Sequence, residues 1–182
     1  MEPHFDFDFD PVSFITIGAE GPPGERTFFL QAAKGRKVVT VAIEKEQAFV
    51  LAANLQHLLV ELGELEEEPD EGDTIAEEVP NMALLQPVRP QFRVTRLGLG
   101  VDAATRQMVI IADETQEGDD GQRVRFVASF KQMLALSKHT LWVVGQGRPN
   151  CPLCGEPMDE AGHFCARRNG HPKPPDENGS EA

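Results

Sequence analysis

The sequence has little of what a nucleic-acid-binding protein uses. It contains no tyrosine and a single tryptophan, Trp142, so the usual aromatic platform for stacking single-stranded bases is missing. Its 17 Lys and Arg residues stand against 30 Asp and Glu residues, which gives a formal net charge of −13. Because such a chain repels phosphate backbones, the composition argues against general nucleic-acid binding.

Long apolar runs, a leader sequence and paired cysteines are also missing. No run approaches the ~18 uncharged apolar residues of a membrane-spanning helix, and the acidic start Met-Glu-Pro-His-Phe-Asp is unlike a signal peptide. The 3 cysteines all lie between positions 151 and 165. An odd, clustered set is a poor disulfide framework and is typical of a metal site in a reducing compartment. We therefore expect a cytoplasmic protein with no membrane contact.

Short runs of apolar and β-branched residues predict two meanders of antiparallel strands. Phe5, Phe7 and Phe9 alternate with aspartates, which predicts an additional edge strand with one dry face. The first meander comprises residues 13–19, 27–32 and 38–43, and the second comprises residues 92–101, 108–112 and 124–128, with an irregularity near Arg96.

A predicted helix follows each meander. Apolar residues spaced three or four apart predict helices at 45–62 and at 129–144, the second with Ser129 as N-cap. Val41-Ala42 precedes Lys45 and Gln47 at the first helix, and Val127-Ala128 precedes Lys131 and Gln132 at the second. With a shift of one residue, this match suggests a faint internal repeat. The predicted fold class is α+β, with antiparallel sheet and helices packed on one face.

The composition divides the chain into three predicted parts. Residues 1–147 form the α+β core domain, since 40% hydrophobic residues suffice for a core at this length. This domain is interrupted by a flexible acidic loop at about 64–80. A zinc knuckle follows at 148–171, and residues 172–182, rich in Pro, Gly and acids, form a disordered tail.

The segment after position 150 carries the one chemically specific motif. Two thiolates separated by two residues, Cys151 and Cys154, can hold one ion, and the glycine after them permits a tight turn. A tetrahedral zinc site needs two more ligands, for which Cys165 is the first candidate and His163 the preferred second. His171 is the alternative fourth ligand.

Redox chemistry is the competing interpretation of a Cys-x-x-Cys pair. A thioredoxin-like pair opens a helix, whereas Pro149, Pro152 and Pro157 surround this one. Four protein ligands would leave no open position on the metal, and no carboxylate is clearly placed to act as a base. The motif therefore predicts structural zinc.

Several segments together resemble an uncharacterised bacterial family, a domain of unknown function seen chiefly in actinobacteria. The resemblance implies no activity, because none is established for the family, but its pattern includes the His-x-Cys pair and so supports His163. Tyr often stands in the family where this chain has His171, and Pro where it has Ala166. The matching segments are residues 24–32, 41–45 and 92–94 and the ending Gly-Arg-Pro-x-Cys-Pro-x-Cys-Gly through Gly-His-x-Cys-x-Arg-x-Asn-Gly at 147–170.

These patterns favour a non-enzymatic, zinc-stabilised module for protein interaction or regulation, with another protein as its partner. One alternative is an enzyme or small-molecule-binding protein whose pocket between the meanders takes an anionic ligand through Arg26, Arg93 and Arg96. A second alternative is weak nucleic-acid contact through basic residues near the knuckle, namely Arg148, Arg167, Arg168 and Lys173.

Overall fold

The computed structural model describes residues 4–64, 81–102, 104–115, 121–148, 151, 153–155, 158 and 165. The chain divides into two compact units, Met1–Gly145 and Gln146–Ala182. Residues 65–80 of the predicted acidic loop and the whole predicted tail at 172–182 lie outside the described residues. In the part of the chain that is described, no helix has the length and apolar character needed to cross a membrane.

The first unit confirms the α+β prediction and the order of its elements. Both predicted helices and all the predicted strands are present within one or two residues of their expected bounds, apart from a shorter fifth strand. The elements are β1 (Phe7–Phe9), β2 (Phe14–Glu20), β3 (Thr27–Lys34), β4 (Lys37–Ile43), α1 (Lys45–Glu61), β5 (Arg96–Asp102), β6 (Gln107–Asp113), β7 (Arg123–Ser129) and α2 (Phe130–Gly145).

The strands form two sheets, and one pairing is parallel. Strands β2, β3 and β4 make an antiparallel sheet in that order, while the second sheet has the order β1-β7-β6-β5. Strand β1 is an edge strand, as predicted, but it pairs parallel with β7, with Phe9 opposite Phe126. The aspartates of this segment face arginines of β7, since both Asp8 and Asp10 accept hydrogen bonds from Arg125.

The predicted irregularity near Arg96 is the point where the chain passes from one sheet to the other. Before it, the amide of Ala42 in β4 donates to the Phe92 carbonyl, and the amide of Val94 donates to the Ala42 carbonyl. After it, β5 pairs with β6, with Arg96 opposite Asp113. The single strand predicted at 92–101 is therefore divided between two sheets.

Both sheets and both helices contribute to one apolar core. Alternate strand residues point inward, as do the residues at three- and four-residue spacing on the helices. The largest fully buried apolar side chains are Ile17, Leu30, Val41, Ile43, Leu55, Leu59, Met108, Ile110, Phe126, Met133 and Leu136.

The opposite face of the first sheet is covered by the chain after position 80. Buried Gln31 donates to the Leu85 carbonyl at 3.1 Å, accepts from the Leu85 amide at 2.7 Å, and donates to the Thr40 hydroxyl. Beside it, a Cβ atom on Gly18 would lie 2.5 Å from Cγ of Leu84. Any larger residue at position 18 would therefore displace the Leu84 side chain where this segment crosses β2.

The two halves of the unit are built alike, which supports the faint repeat seen in the sequence. At the start of α1 the Glu44 amide donates to Oε1 of Gln47 at 2.8 Å, and at the start of α2 the Ser129 amide donates to Oε1 of Gln132 at 3.0 Å. The Gln132 amide also donates to the Ser129 hydroxyl at 3.2 Å, as the predicted N-cap requires. Residues of the two halves can thus be matched from these caps.

Candidate metal centre

Three cysteine thiols converge in the unit Gln146–Ala182. The Sγ atoms of Cys151, Cys154 and Cys165 all lie within 4.8 Å of one another. Cys151 and Cys165 are buried, Cys154 is partly exposed, and none of the three forms a disulfide. The chain thus brings a cysteine from 11 positions downstream to the Cys-x-x-Cys pair.

The local turn follows from the residues between and after the first two cysteines. The amide of Gly155 donates to the Cys151 carbonyl at 2.8 Å, and Gly155 has φ of 79°, a conformation that glycine adopts without strain. The Leu153 amide points at the Cys151 sulfur, 3.4 Å away. A tight turn therefore directs backbone amides toward the first thiol.

These amides change the protonation of the first thiol. Hydrogen bonds from the backbone of Cys154 and then of Leu153 lower the pKa of Cys151 below that of a free thiol, because they stabilise the thiolate. The thiolate is the form that binds a metal. The turn thus prepares the sulfur as a ligand.

The sulfur spacing fits a tetrahedral ion. Ligands held about 2.3 Å from zinc at tetrahedral angles lie about 3.8 Å from each other, and the Sγ atoms of Cys151 and Cys165 are 3.8 Å apart. The arrangement can hold a metal ion, and thiolate ligands favour zinc or other soft, thiophilic ions over magnesium or calcium. Both predicted histidine ligands, His163 and His171, lie outside the described residues.

The arginines predicted to form an anion pocket have separate partners. Arg26 donates to the Val143 and Val144 carbonyls at the end of α2. Arg93 pairs with the Glu44 carboxylate. Arg96 pairs with Asp113 at 2.9 Å.

A cavity does lie between the two halves, but its lining does not suit an anion. It measures about 310 Å³ and lies between α1 and β5. Among the described residues that line it, Glu46 is the one ionisable side chain and is acidic, and most of the others are apolar. The residues that line the cavity are Glu46, Gln47, Val50, Leu51, Asn54, Leu97, Gly98 and Leu99.

The nucleic-acid alternative stays a prediction, since Arg167, Arg168 and Lys173 lie outside the described residues.

Sequence reasoning identified the three cysteines but missed the role of Gln31. A lone glutamine in a strand looks like an ordinary outward-facing residue, and its partner segment at 81–87 shows no periodic pattern. The only available signal was its place inside the segment 24–32 that carries the family resemblance. The structure assigns Gln31 to holding the chain between the two halves.

Comparison with known proteins places the chain in a family. The sequence profile of the family described as "Protein of unknown function (DUF3090)" matches residues 7–165. The match covers most of the chain, both halves of the first unit and all three cysteines, and the chain belongs to this family of unknown function. No curated protein and no solved structure matches it.

Proposed function

We propose that the unit Gln146–Ala182 binds one structural zinc ion and serves as a docking module for another protein. The observation that carries the proposal is the convergence of three thiols within 4.8 Å. With His163 as the fourth ligand, the ion would have no open position for a substrate. A closed site of this kind stabilises a fold and does not activate water.

The residue between the first two cysteines supplies the contact surface of this proposal. The Leu153 side chain is 48% exposed, although it lies in a turn between two residues that would be fixed by the metal. A zinc-fixed turn presents such a side chain with little loss of conformational entropy on binding. We therefore assign Leu153 as the apolar anchor for the partner.

The test is purification of the tagged full-length chain from its own cells with quantitative mass spectrometry. A stoichiometric protein partner is expected with the wild type. Leu153→Asp should lose the partner and keep the zinc, whereas Cys154→Ser should lose both.

The matched control is Val38→Asp, which changes a similarly exposed apolar residue, 43% exposed, in the first unit. This variant should keep both zinc and partner. A partner that stays bound to a zinc-free Cys154→Ser protein, or to Leu153→Asp, would contradict the docking role of the module.

A further inference from the structure

The strand β5 presents an open edge. It lies at the end of its sheet, and no other described strand pairs with its outer side. Alternate backbone N–H and C=O groups therefore point away from the sheet. Proteins commonly shield such edges with proline, charged side chains or a very short strand. Strand β5 has 7 residues, lacks proline and carries charges only at its two ends, Arg96 and Asp102.

The equivalent edge in the other half is covered. Strand β2 lies at the edge of its sheet, and α2 packs against it, with the His139 ring close to the Ile17 backbone. Aligning Gln47 with Gln132 makes Asn54 of α1 equivalent to His139 of α2. Following the strand pairing outward from the same alignment makes Leu99 of β5 equivalent to Ile17 of β2. Both Asn54 and Leu99 line the cavity of about 310 Å³ that separates α1 from β5. Helix α1 contacts β5, but the cavity leaves this edge less covered than the edge of β2.

Apolar side chains flank this edge. Leu97 and Leu99 are opposite the core residues Ala112 and Ile110 and so face the core, but each remains partly exposed. Val101 on the same face is 37% exposed, and Val50 across the cavity is 52% exposed. The edge therefore combines backbone that no other described strand pairs with and incompletely buried apolar surface, which favours strand addition by a partner.

We propose that β5 is a dimer interface, where it pairs antiparallel with β5 of a second copy about a two-fold axis at Leu99. The strand sequence Arg-Leu-Gly-Leu-Gly-Val-Asp is complementary to itself in this register. Arg96 lies opposite Asp102 of the second copy, and Leu97 lies opposite Val101 of the second copy. A two-fold interface makes each of these pairs twice.

Both residues of this charged pair are exposed to solvent. The Arg96 side chain stays 46% exposed while it pairs with Asp113. Hydrogen bonds from the Thr105 side chain and backbone lower the pKa of Asp102, so that its carboxylate is ionised at neutral pH. Opposite charges directly across two strands attract, whereas like charges there repel. The register that pairs these charges is therefore favoured over its one-residue neighbours.

The glycines of β5 are consistent with a close backbone neighbour. Neither Gly98 nor Gly100 has a positive φ, and a Cβ atom on either would meet only ordinary contacts, at 3.7 Å from Ile111 and 3.9 Å from Val109. Nothing within the described chain requires glycine at these positions. Glycine inside a strand weakens it, and it often marks the approach of another backbone.

The test is sedimentation velocity of the full-length, zinc-loaded protein over a concentration series. The wild type should show a reversible monomer–dimer equilibrium. Arg96→Glu and Asp102→Lys should each raise the dimer dissociation constant about tenfold or more, because each sets like charges across the axis twice. The double variant restores opposite charges and should return to within about threefold of the wild type.

A second variant avoids the intramolecular contacts of these two residues. Val101→Lys places an ammonium group on the edge and should abolish the dimer, while Val38→Lys, a matched exposed valine in β4, should not. Circular dichroism confirms that each monomer is folded. A wild type that is monomeric at every accessible concentration overturns the proposal. The alternative occupant of the β5 edge would then be an extended segment of another protein. A dimer indifferent to Val101→Lys, or a double variant with no recovery, also overturns the proposal.

Discussion

Gln47 and Gln132 make the same pair of contacts in the two halves of the protein. Oε1 of each accepts the backbone amide that starts its helix. Nε2 of Gln47 donates to the Val94 carbonyl at 3.3 Å, and Nε2 of Gln132 donates to the Val12 carbonyl at 3.4 Å. Val94 leads into the second meander and Val12 into the first, so each helix cap fixes the chain that enters the other half.

Replacing either glutamine should therefore destabilise the unit as a whole. Gln132→Ala keeps the bond from the residue 132 amide to the Ser129 hydroxyl but removes the Oε1 acceptor of the Ser129 amide and the bond to Val12. We expect a loss of about 1–2 kcal/mol in the free energy of unfolding. Gln47→Ala should cost a similar amount. Urea denaturation followed by circular dichroism measures both, with Gln56→Ala on α1 as the control. A change below about 0.5 kcal/mol at both positions, typical of surface substitutions, would show that the shared caps are unimportant.

Gln31→Met tests the second link between the halves. Methionine keeps the approximate volume but leaves the amide and carbonyl of Leu85 without their partner. We expect a loss of about 1–2 kcal/mol in the free energy of unfolding, because the buried Thr40 hydroxyl and the partly buried backbone groups of Leu85 each lose a hydrogen-bond partner.

Hydrogen exchange gives this prediction a local measurement. The Leu85 amide should exchange faster in Gln31→Met by more than the change in global stability explains. The control is Gln107→Met, which alters a partly exposed glutamine in β6 and should leave Leu85 protected. Unchanged exchange at Leu85 would mean that other contacts hold the segment.

The sequence predicts the structural features that depend on residues close together in the chain. It does not predict contacts between residues that are far apart in the chain. Period-two and period-3.6 patterns placed the strands and helices, and Ser129 with Gln132 marked a helix start. The parallel pairing of β1 and the C-terminal capping of α2 by Arg26 depend on contacts 117 residues apart. The division into two sheets depends on the pairing of Ala42 with Arg93, which are also distant in the sequence. A pattern within a short stretch of sequence does not indicate which distant residue will be the partner. The cysteine cluster was predictable because its ligand spacing is itself local.

His139 should make stability depend on pH. Burial lowers the pKa of this imidazole below 6.5, while its hydrogen bond to the Ile17 backbone acts in the opposite direction. The folded state thus binds a proton less readily than the unfolded state. The stability that neutral His139 contributes is complete above about pH 6.5 and is lost as the pH falls through the lowered pKa.

His139→Gln removes this titration and should flatten the curve. Between about pH 7.5 and 5, the wild type should lose more free energy of unfolding than the variant does. The comparison cancels the acid sensitivity of the cysteine cluster, which both proteins share. His57→Gln, a change on the exposed face of α1, serves as the control. Parallel curves for the wild type and His139→Gln would contradict the buried-imidazole account.

The two candidates for the fourth zinc ligand, His163 and His171, lead to different predictions. The three thiols supply three ligands of a tetrahedral site, so one further side chain completes it. If His163 is that ligand, His163→Ala should weaken zinc binding by more than about 100-fold, beyond the loss typical of outer-shell changes. His171→Ala should leave the affinity unchanged.

Competition with a chromophoric chelator at neutral pH measures these affinities, and elemental analysis of the purified chain gives the stoichiometry. One zinc per wild-type chain is expected, and Cys154→Ser should contain none. Leu153→Ser is the matched control because it changes the same turn without removing a sulfur. The reverse result, in which His171→Ala alone releases zinc, would assign the fourth ligand to His171. Full zinc in both histidine variants would contradict a histidine ligand and require a fourth donor of another kind, such as a carboxylate or water. Only a site closed by protein ligands is consistent with a purely structural ion, so this pair of variants also tests the docking role assigned to the module.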